Sequence, residues 1–111
     1  MKFMTYQSGI NKEFYFRFLT NDGRPVLRSE GYKSKSGALN AIESIRENSM
    51  EDTQFEVKQT ERGNWMFNLK AKNHQVIATS VVFETKSDMQ EAKRYVKANA
   101  RSAKVEDQRP V

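Results

Sequence analysis

Apolar and polar residues alternate with a period of two in two stretches of the chain, residues 13–19 and 64–71. Because successive side chains of a strand point to opposite faces, this pattern predicts two β-strands, each with one buried and one open face. The residues predicted to face the core are Phe14, Phe16, Phe18, Trp65, Phe67 and Leu69. The residues predicted to lie on the open face are Tyr15, Arg17, Leu19, Met66, Asn68 and Lys70.

The apolar period changes to that of a helix at residues 35–48 and again at residues 86–99. Four apolar residues of the first stretch recur at i, i+3, i+4 and i+7, and three residues of the second form a similar stripe. These residues are Ala38, Ala41, Ile42 and Ile45, then Met89, Ala92 and Val96. Ser34 and Thr85 are predicted N-caps. Each helix ends near an asparagine, Asn48 or Asn99, a residue that tolerates the left-handed conformation common after a helix.

Shorter extended segments complete the pattern and predict further strands at residues 4–7, 25–29, 55–59, 75–80 and 103–107. The sequence Asn21-Asp22-Gly23 predicts a tight hairpin turn, because these residues tolerate positive φ. Its counterpart, Lys72-Asn73-His74, keeps an asparagine but lacks the glycine.

A shift of 51 residues superimposes the second half of the chain on the first without a gap. Six positions are then identical: Phe16/Phe67, Ser29/Ser80, Lys35/Lys86, Ser36/Ser87, Ala41/Ala92 and Asn48/Asn99. The sequence therefore predicts two repeats, residues 1–53 and 54–106, which share one core as one domain, followed by a flexible tail at 107–111. Each repeat has three strands, a helix and a strand. An α+β fold with two helices on one face of a small antiparallel sheet follows.

Two segments of the chain form a distinctive pattern: residues 29–38 with 40–45 and Asn48, and residues 69–77 with Thr79 and Ser80. Together they resemble the YegP-like bacterial domain family. The resemblance covers nearly the whole chain and includes the duplication. It implies a single antiparallel sheet built from two β-β-β-α-β repeats, whose C-terminal strands are exchanged between the repeats. The second repeat departs from the family pattern where Val82 replaces Gly31. The family has no established activity, so the resemblance leaves function open.

The residue types needed for several kinds of site are absent or isolated. The chain has no cysteine and one histidine, His74, which lies in a predicted turn. A general base needs an orienting partner, and a zinc site needs several ligands, so neither is predicted. Glu43, Glu47 and the adjoining Glu51-Asp52 are interpreted as a solvated helix face. We therefore predict a protein that is not an enzyme and binds no metal or cofactor.

No apolar run reaches the ~20 residues of a membrane helix or the ~7–15 of a signal-peptide core, which predicts a cytoplasmic protein without membrane contact. The net charge of +5 is concentrated in the second half of the chain. Five residues of the second helix and its end are predicted to form a positive stripe: Lys86, Lys93, Arg94, Lys97 and Arg101. Such a stripe can bind nucleic acid weakly and without sequence preference, or it can serve only to solubilise the helix.

The open face of the sheet offers a different kind of surface. Tyr15, Leu19 and Met66 supply apolar area on that face, and Arg17 and Lys70 supply charge. An uncovered face of this kind suits a protein partner or a second copy of the same chain. The leading functional prediction is therefore a small protein-binding module, with nucleic-acid binding through the basic stripe as the alternative.

Overall fold

The structure is a computed structural model, and it describes residues 1–108. This part of the chain contains seven β-strands and two α-helices. The strands are β1 (Lys2–Gln7), β2 (Phe14–Leu19), β3 (Pro25–Ser29), β4 (Phe55–Gln59), β5 (Trp65–Lys70), β6 (Val76–Ser80) and β7 (Lys104–Asp107). The helices are α1 (Lys35–Asn48) and α2 (Lys86–Asn99), and each is followed by a short 3₁₀ turn. Asp107, which the sequence places in the tail, ends β7, whereas residues 109–111 lie outside the described residues.

All seven strands form one sheet in the order β4-β5-β6-β3-β2-β1-β7. The repeats meet at its centre, where β3 of the first repeat pairs with β6 of the second. The strand after each helix pairs with the other repeat, since β4 follows α1 and pairs with β5, and β7 follows α2 and pairs with β1. The exchange of C-terminal strands is confirmed.

The prediction of a wholly antiparallel sheet is wrong at one place, because β1 and β7 are parallel. The approximate two-fold relation between the repeats explains this pair. By this relation, the strand that follows α2 (β7) would lie beside β2, just as the strand that follows α1 (β4) lies beside β5. Since β1 already fills that position and runs in the same direction, β7 adds outside β1 as a parallel strand.

Both helices lie on one face of the sheet, and the repeats share a single core. The buried stripes of α1 and α2 join the inward side chains of the strands in one cluster. The two halves also touch directly, because Phe18 on β2 lies 6.0 Å from Tyr95 on α2, measured between ring centroids. Phe18 also packs against Phe3, at 4.8 Å. Neither repeat completes this interior alone.

An equivalent β-bulge interrupts the strand pairing in each repeat. Phe18 pairs with Leu27 and Leu19 with Pro25, so Val26 has no opposite residue. In the second repeat Ile77 is skipped in the same way. A bulge lets two consecutive side chains point to the same side. Val26 and Leu27 are accordingly both buried, as are Ile77 and Ala78.

The gapless shift of 51 residues is wrong for the first strand of each repeat. Phe3 pairs with Phe18, and Phe55 pairs with Leu69, so Phe3 corresponds to Phe55 at a shift of 52. The difference lies in the loop before the second strand, which spans residues 8–13 in the first repeat and 60–64 in the second. From β2 onward the shift of 51 holds.

The helix N-caps are as predicted, but the C-terminal asparagines act differently. The Ser34 hydroxyl accepts a hydrogen bond from the Gly37 amide at 3.1 Å, and the Thr85 hydroxyl accepts one from the Asp88 amide at 3.0 Å. Neither Asn48 nor Asn99 has positive φ. Each instead donates a side-chain hydrogen bond to the carbonyl four residues earlier in its own helix.

The hairpin turns of the two repeats share one conformation despite their different residues. Gly23 has φ of 84° and His74, its counterpart, has φ of 70°. Left-handed backbone costs a residue with a Cβ atom about 1–2 kcal/mol, and glycine little. After allowance for the greater chain entropy of glycine, we expect His74→Gly to raise the free energy of unfolding by about 0.5–1 kcal/mol. Urea unfolding at one pH measures this change.

Gly23→Ala is the matched control for this prediction. It places a Cβ atom in the same conformation and should lower the free energy of unfolding by about 1 kcal/mol or more. Destabilisation by His74→Gly would show that the His74 side chain contributes more than its backbone conformation costs.

Candidate binding face of the sheet

The face of the sheet opposite the helices carries no covering element within residues 1–108. The six residues predicted for this face occupy two separate regions of it. Tyr15, Arg17 and Leu19 lie on β2, whereas Met66, Asn68 and Lys70 lie on β5. Because β3 and β6 run between these strands, the two regions are about 14 Å apart at the usual strand spacing.

On the first repeat, two tyrosines and an arginine form one stack. The rings of Tyr6 and Tyr15 lie face to face, with centroids 5.6 Å apart and an angle of 16° between their planes. The Arg17 guanidinium lies 4.8 Å from the centroid of Tyr6, within the range of a cation–π contact. Asn11 donates a hydrogen bond to the Tyr15 hydroxyl at 2.8 Å. These contacts hold the side chains in defined positions before any partner arrives.

Arg28 on β3 completes this group, because it pairs directly with Arg17 in the β2–β3 ladder. We call Tyr6, Tyr15, Arg17 and Arg28 the arginine–tyrosine patch. The alternation along β2 predicts two of its four members, Tyr15 and Arg17. Tyr6 lies on a strand whose alternation is too short to assign a face. Arg28 follows the bulge at Val26, where two consecutive apolar residues hide which face the next residue takes.

A glycine makes room for this arrangement in the first repeat only. A Cβ atom on Gly31 would lie 2.9 Å from the Tyr15 hydroxyl and 2.2 Å from a carboxylate oxygen of Glu13. In the second repeat Met66 replaces Tyr15 and Val82 replaces Gly31. The tyrosine and the glycine therefore occur together, and the open face of the first repeat is built around the aromatic stack.

The open face of the second repeat is instead satisfied by contacts within itself. The Lys70 ammonium lies 2.8 Å from the Glu56 carboxylate, and the Lys58 ammonium lies 3.4 Å from it. The hydrogen bond from Lys70, followed by one from Asn68, lowers the pKa of Glu56. The Thr79 hydroxyl donates to the Asn68 side-chain carbonyl at 2.9 Å. These groups have little left to offer a ligand.

The basic stripe predicted on helix α2 is partly neutralised by the first repeat. The Lys97 and Lys93 ammonium groups lie 2.6 and 3.4 Å from the Asp52 carboxylate. Lys93 also lies 5.4 Å from the centroid of the Phe55 ring, and Lys86 lies at the same distance from that of Trp65. Three of the five predicted cations are thus engaged in contacts within the protein.

The other two members of the stripe, Arg94 and Arg101, are exposed. Within residues 1–108, only Arg101 contacts another side chain through its guanidinium group. The Arg101 guanidinium lies 3.4 Å from the Met50 sulfur atom. Arg94 makes no ion pair within residues 1–108. Asp52, which the sequence analysis assigned to a solvated helix face, is the residue that links this stripe to the first repeat.

The ion pairs of Asp52 should make stability depend on pH. The hydrogen bond from Lys97, with the charge of Lys93, holds the pKa of Asp52 below its ordinary value of 3.8. A group with a lowered folded-state pKa stabilises the protein above its unfolded pKa and loses this effect as the pH falls through the folded value. We expect Asp52→Asn to lower the urea midpoint at neutral pH, and this difference from the unsubstituted protein to be lost as the pH falls through the lowered pKa of Asp52.

Urea unfolding over a series of pH values from neutral to acid measures this difference. Glu51→Gln is the control, because Glu51 makes no ion pair within residues 1–108. If the difference between Asp52→Asn and the unsubstituted protein stays constant with pH, the ion pairs do not contribute to stability.

Comparison with known proteins identifies the family. The profile described as "domain of unknown function (DUF1508)" matches residues 11–56 and again residues 61–107. The chain belongs to the DUF1508 family. The two matches also agree with the two repeats of the fold.

Two relatives match most of the length of this DUF1508 chain. It is 44% identical over 93 residues to the UPF0339 protein in ptx operon 5′ region of Stutzerimonas stutzeri, covering 84% of each chain. It is 37% identical over 97 residues to the UPF0339 protein YegP of Escherichia coli K12, covering 87% of this chain and 88% of YegP. The resemblance to YegP-like proteins is confirmed.

Solved structures have the same architecture as this DUF1508 chain. The solution structure of YegP from E. coli superimposes with a TM-score of 0.90 at 36% identity, covering 96% of this chain and 91% of that one. The solution structure of UPF0339 protein SO3888 from Shewanella oneidensis also gives 0.90, at 31% identity, covering 96% and 89%. The family and its fold are known, and its function is not.

One groove of this DUF1508 protein lies beside the arginine–tyrosine patch, at the ends of β1 and β7. Its lining includes Thr5, Tyr6, Phe14, Lys35 and Asp107. The Lys35 ammonium and the Thr5 hydroxyl both contact the Asp107 carboxylate, so the charged groups of the groove are directed at each other. No group of three or more possible metal-ligating residues occurs within residues 1–108. In the same range, no helix has the length and apolar character needed to cross a membrane.

Proposed function

We propose that this protein is a cytoplasmic, non-enzymatic binding module that engages a partner protein through the arginine–tyrosine patch. One observation carries the proposal, namely the difference between the two repeats on the open face. The second repeat satisfies its polar groups internally, whereas the first presents two tyrosines and two arginines to solvent or at half exposure. Since the fold is the same in both repeats, it does not require these residues.

The composition of the patch is that of a protein-binding surface. Tyrosine and arginine are enriched at protein interfaces, where they combine large contact area with hydrogen bonding. The stack of Tyr6 on Tyr15 and the contact of Arg17 with Tyr6 restrict these side chains in advance. Less conformational entropy is then lost on binding.

Nucleic-acid binding through helix α2 has less support. Lys93 and Lys97 would have to exchange Asp52 for phosphate, and Lys86 already lies over Trp65. Within residues 1–108, Arg94 is the one cation of the predicted stripe that has neither an ion pair nor a contact with a ring or a sulfur atom.

Site-specific photo-crosslinking in the native host tests the proposal. A benzophenone amino acid is placed at position 15 in the patch, at position 66 on the equivalent site of the second repeat, or at position 94 on helix α2. We expect one discrete protein adduct at position 15 and none at positions 66 and 94. Nucleic-acid adducts at position 94, or equal adducts at all three positions, would contradict the proposal.

A further inference from the structure

The register of the sheet aligns one residue from each strand in a single row across the open face. Successive pairings link these residues from β4 to β7. In order they are Glu56, Asn68, Thr79, Arg28, Arg17, Met4 and Glu106. Arg17 and Arg28 are therefore neighbours near the middle of the row, with Cβ atoms about 5 Å apart, as is usual for directly opposed residues.

This arrangement of charges is unfavourable for the isolated protein. Like charges on directly opposed residues of a sheet destabilise the pair. Neither arginine has an acidic partner within residues 1–108, and both side chains are exposed. The equivalent residues of the second repeat are Asn68 and Thr79, which form a neutral hydrogen-bonded pair. The same fold is thus made without the repulsion.

We infer that Arg17 and Arg28 together bind a carboxylate side chain in an acidic segment of the partner protein. The inference rests on the proposed function and names the chemistry of the partner. An arginine guanidinium presents its N–H groups in a planar fork that matches both oxygens of a carboxylate. The bound anion relieves the repulsion between the arginines, and Tyr6 and Tyr15 beside them provide apolar contact for the rest of the segment.

The row of residues has its two arginines near the middle and a glutamate at each end. This distribution of charge favours a carboxylate over a nucleic-acid strand as the ligand. Binding along a nucleic-acid backbone needs a continuous positive track. Here the row ends in Glu56 on one side and Glu106 on the other, each held by a lysine at 2.8 Å. Between them the only cations of the row are Arg17 and Arg28. This spacing fits one compact anionic group and not a chain of phosphates.

The repulsion between the arginines has a measurable consequence in the absence of any ligand. We expect Arg28→Gln to raise the urea midpoint of unfolding, with the largest shift at low ionic strength, where charges are least screened. Arg24→Gln is the matched control, because Arg24 is highly exposed and lies 3.0 Å from the Asp22 carboxylate. It should leave the midpoint unchanged or lower it. A lower midpoint for Arg28→Gln would show that Arg28 is paired favourably and would overturn the inference.

Binding is tested by NMR titration of the full chain at low ionic strength. The three probes are a glutamate-rich peptide, a thymidine oligonucleotide of equal charge and inorganic phosphate. We expect the peptide to shift the Nε–Hε signals of Arg17 and Arg28 together, and its affinity to fall by about tenfold in Arg17→Gln and in Arg28→Gln. The double variant Lys93→Gln/Lys97→Gln should bind the peptide as the unsubstituted protein does.

Each other result of the titration overturns the inference. Tighter binding of the oligonucleotide at the same arginines would assign the surface to nucleic acid, and equal binding of phosphate would show no selection for a peptide carboxylate. Peptide-induced association of the protein with itself would make the partner a second copy. The crosslinking experiment separates this inference from the proposed function. If the adduct at position 15 still forms in the Arg17→Gln/Arg28→Gln variant, the proposed function stands and the inferred binding of a carboxylate is wrong.

Discussion

Replacement of Phe18 by alanine is expected to lower the free energy of unfolding by about 3–5 kcal/mol, the usual cost of removing a buried phenylalanine. Phe18 is fully buried and contacts Phe3 in its own repeat and Tyr95 on the helix of the other repeat. Small domains have a total stability of only about 5–15 kcal/mol. A large part of the stability of both repeats should therefore be lost with this one side chain.

The sequence offers a direct test of whether the loss reaches both repeats. Trp65 is the only tryptophan and lies on β5 in the second repeat, so its fluorescence reports unfolding there. We expect Phe18→Ala to shift the urea transition seen by Trp65 fluorescence as far as that seen by far-UV circular dichroism. Arg24→Gln, at an exposed turn residue, should leave both transitions unchanged or lower both together by far less. A Trp65 transition that stays in place while the circular dichroism transition moves would mean that the repeats have separate cores.

Replacement of Ser80 by alanine is expected to cost about 1–3 kcal/mol, the penalty for leaving a buried hydrogen-bonding group without its partner. The fully buried Ser80 hydroxyl accepts a hydrogen bond from the Phe67 amide at 2.9 Å and donates one to the Val81 carbonyl at 2.8 Å. In the alanine variant both backbone groups lose this partner. Urea denaturation of the purified variant measures the cost.

Ser29→Ala is the control built into the repeat. The Ser29 hydroxyl accepts from the Phe16 amide at 2.8 Å, as Ser80 does from Phe67, but Ser29 is only partly buried. Water can replace part of the lost hydrogen bonding there, so we expect a smaller loss of stability than for Ser80→Ala. Equal costs at the two positions would show that burial does not set the penalty.

These serines illustrate which features of the fold could be predicted from sequence. The identity of Ser29 and Ser80, like that of Phe16 and Phe67, was visible as a repeat, and the structure shows that each serine binds the amide of the matching phenylalanine. Helices α1 and α2 could be located because a cap and an apolar stripe are local signals. A cap and an apolar stripe each depend on residues that lie within a few positions of each other in the sequence.

Features that depend on distant residues could not be predicted in the same way. The one-residue difference in loop length moves Phe55, and not Gln54, into the position of Phe3. The parallel pairing of β7 with β1 follows from the relation between whole repeats. The local sequence predicts that Asp52 faces solvent, because its partners, Lys93 and Lys97, lie in the other repeat. No local pattern contains such pairings.

The residues of the candidate binding face also divide into those that a local pattern predicts and those that it does not. Alternation along β2 placed Tyr15 and Arg17 on the open face, which is where they lie. It could not show that Arg28 lies beside Arg17, because the bulge at Val26 breaks the alternation of β3. The stripe on α2 was recognised as basic, but a count of positive residues cannot reveal which of them already have an acidic neighbour.

The position of strand β4 limits how the duplicated chain can be divided. It is both the strand that follows the helix of the first repeat and the strand that begins the second, so the duplicated halves overlap by one element. A recombination event that excised either half would leave the remainder with a strand missing or a strand to spare. No single cut in the chain therefore leaves both halves with their full set of strands, although each half can carry its own surface.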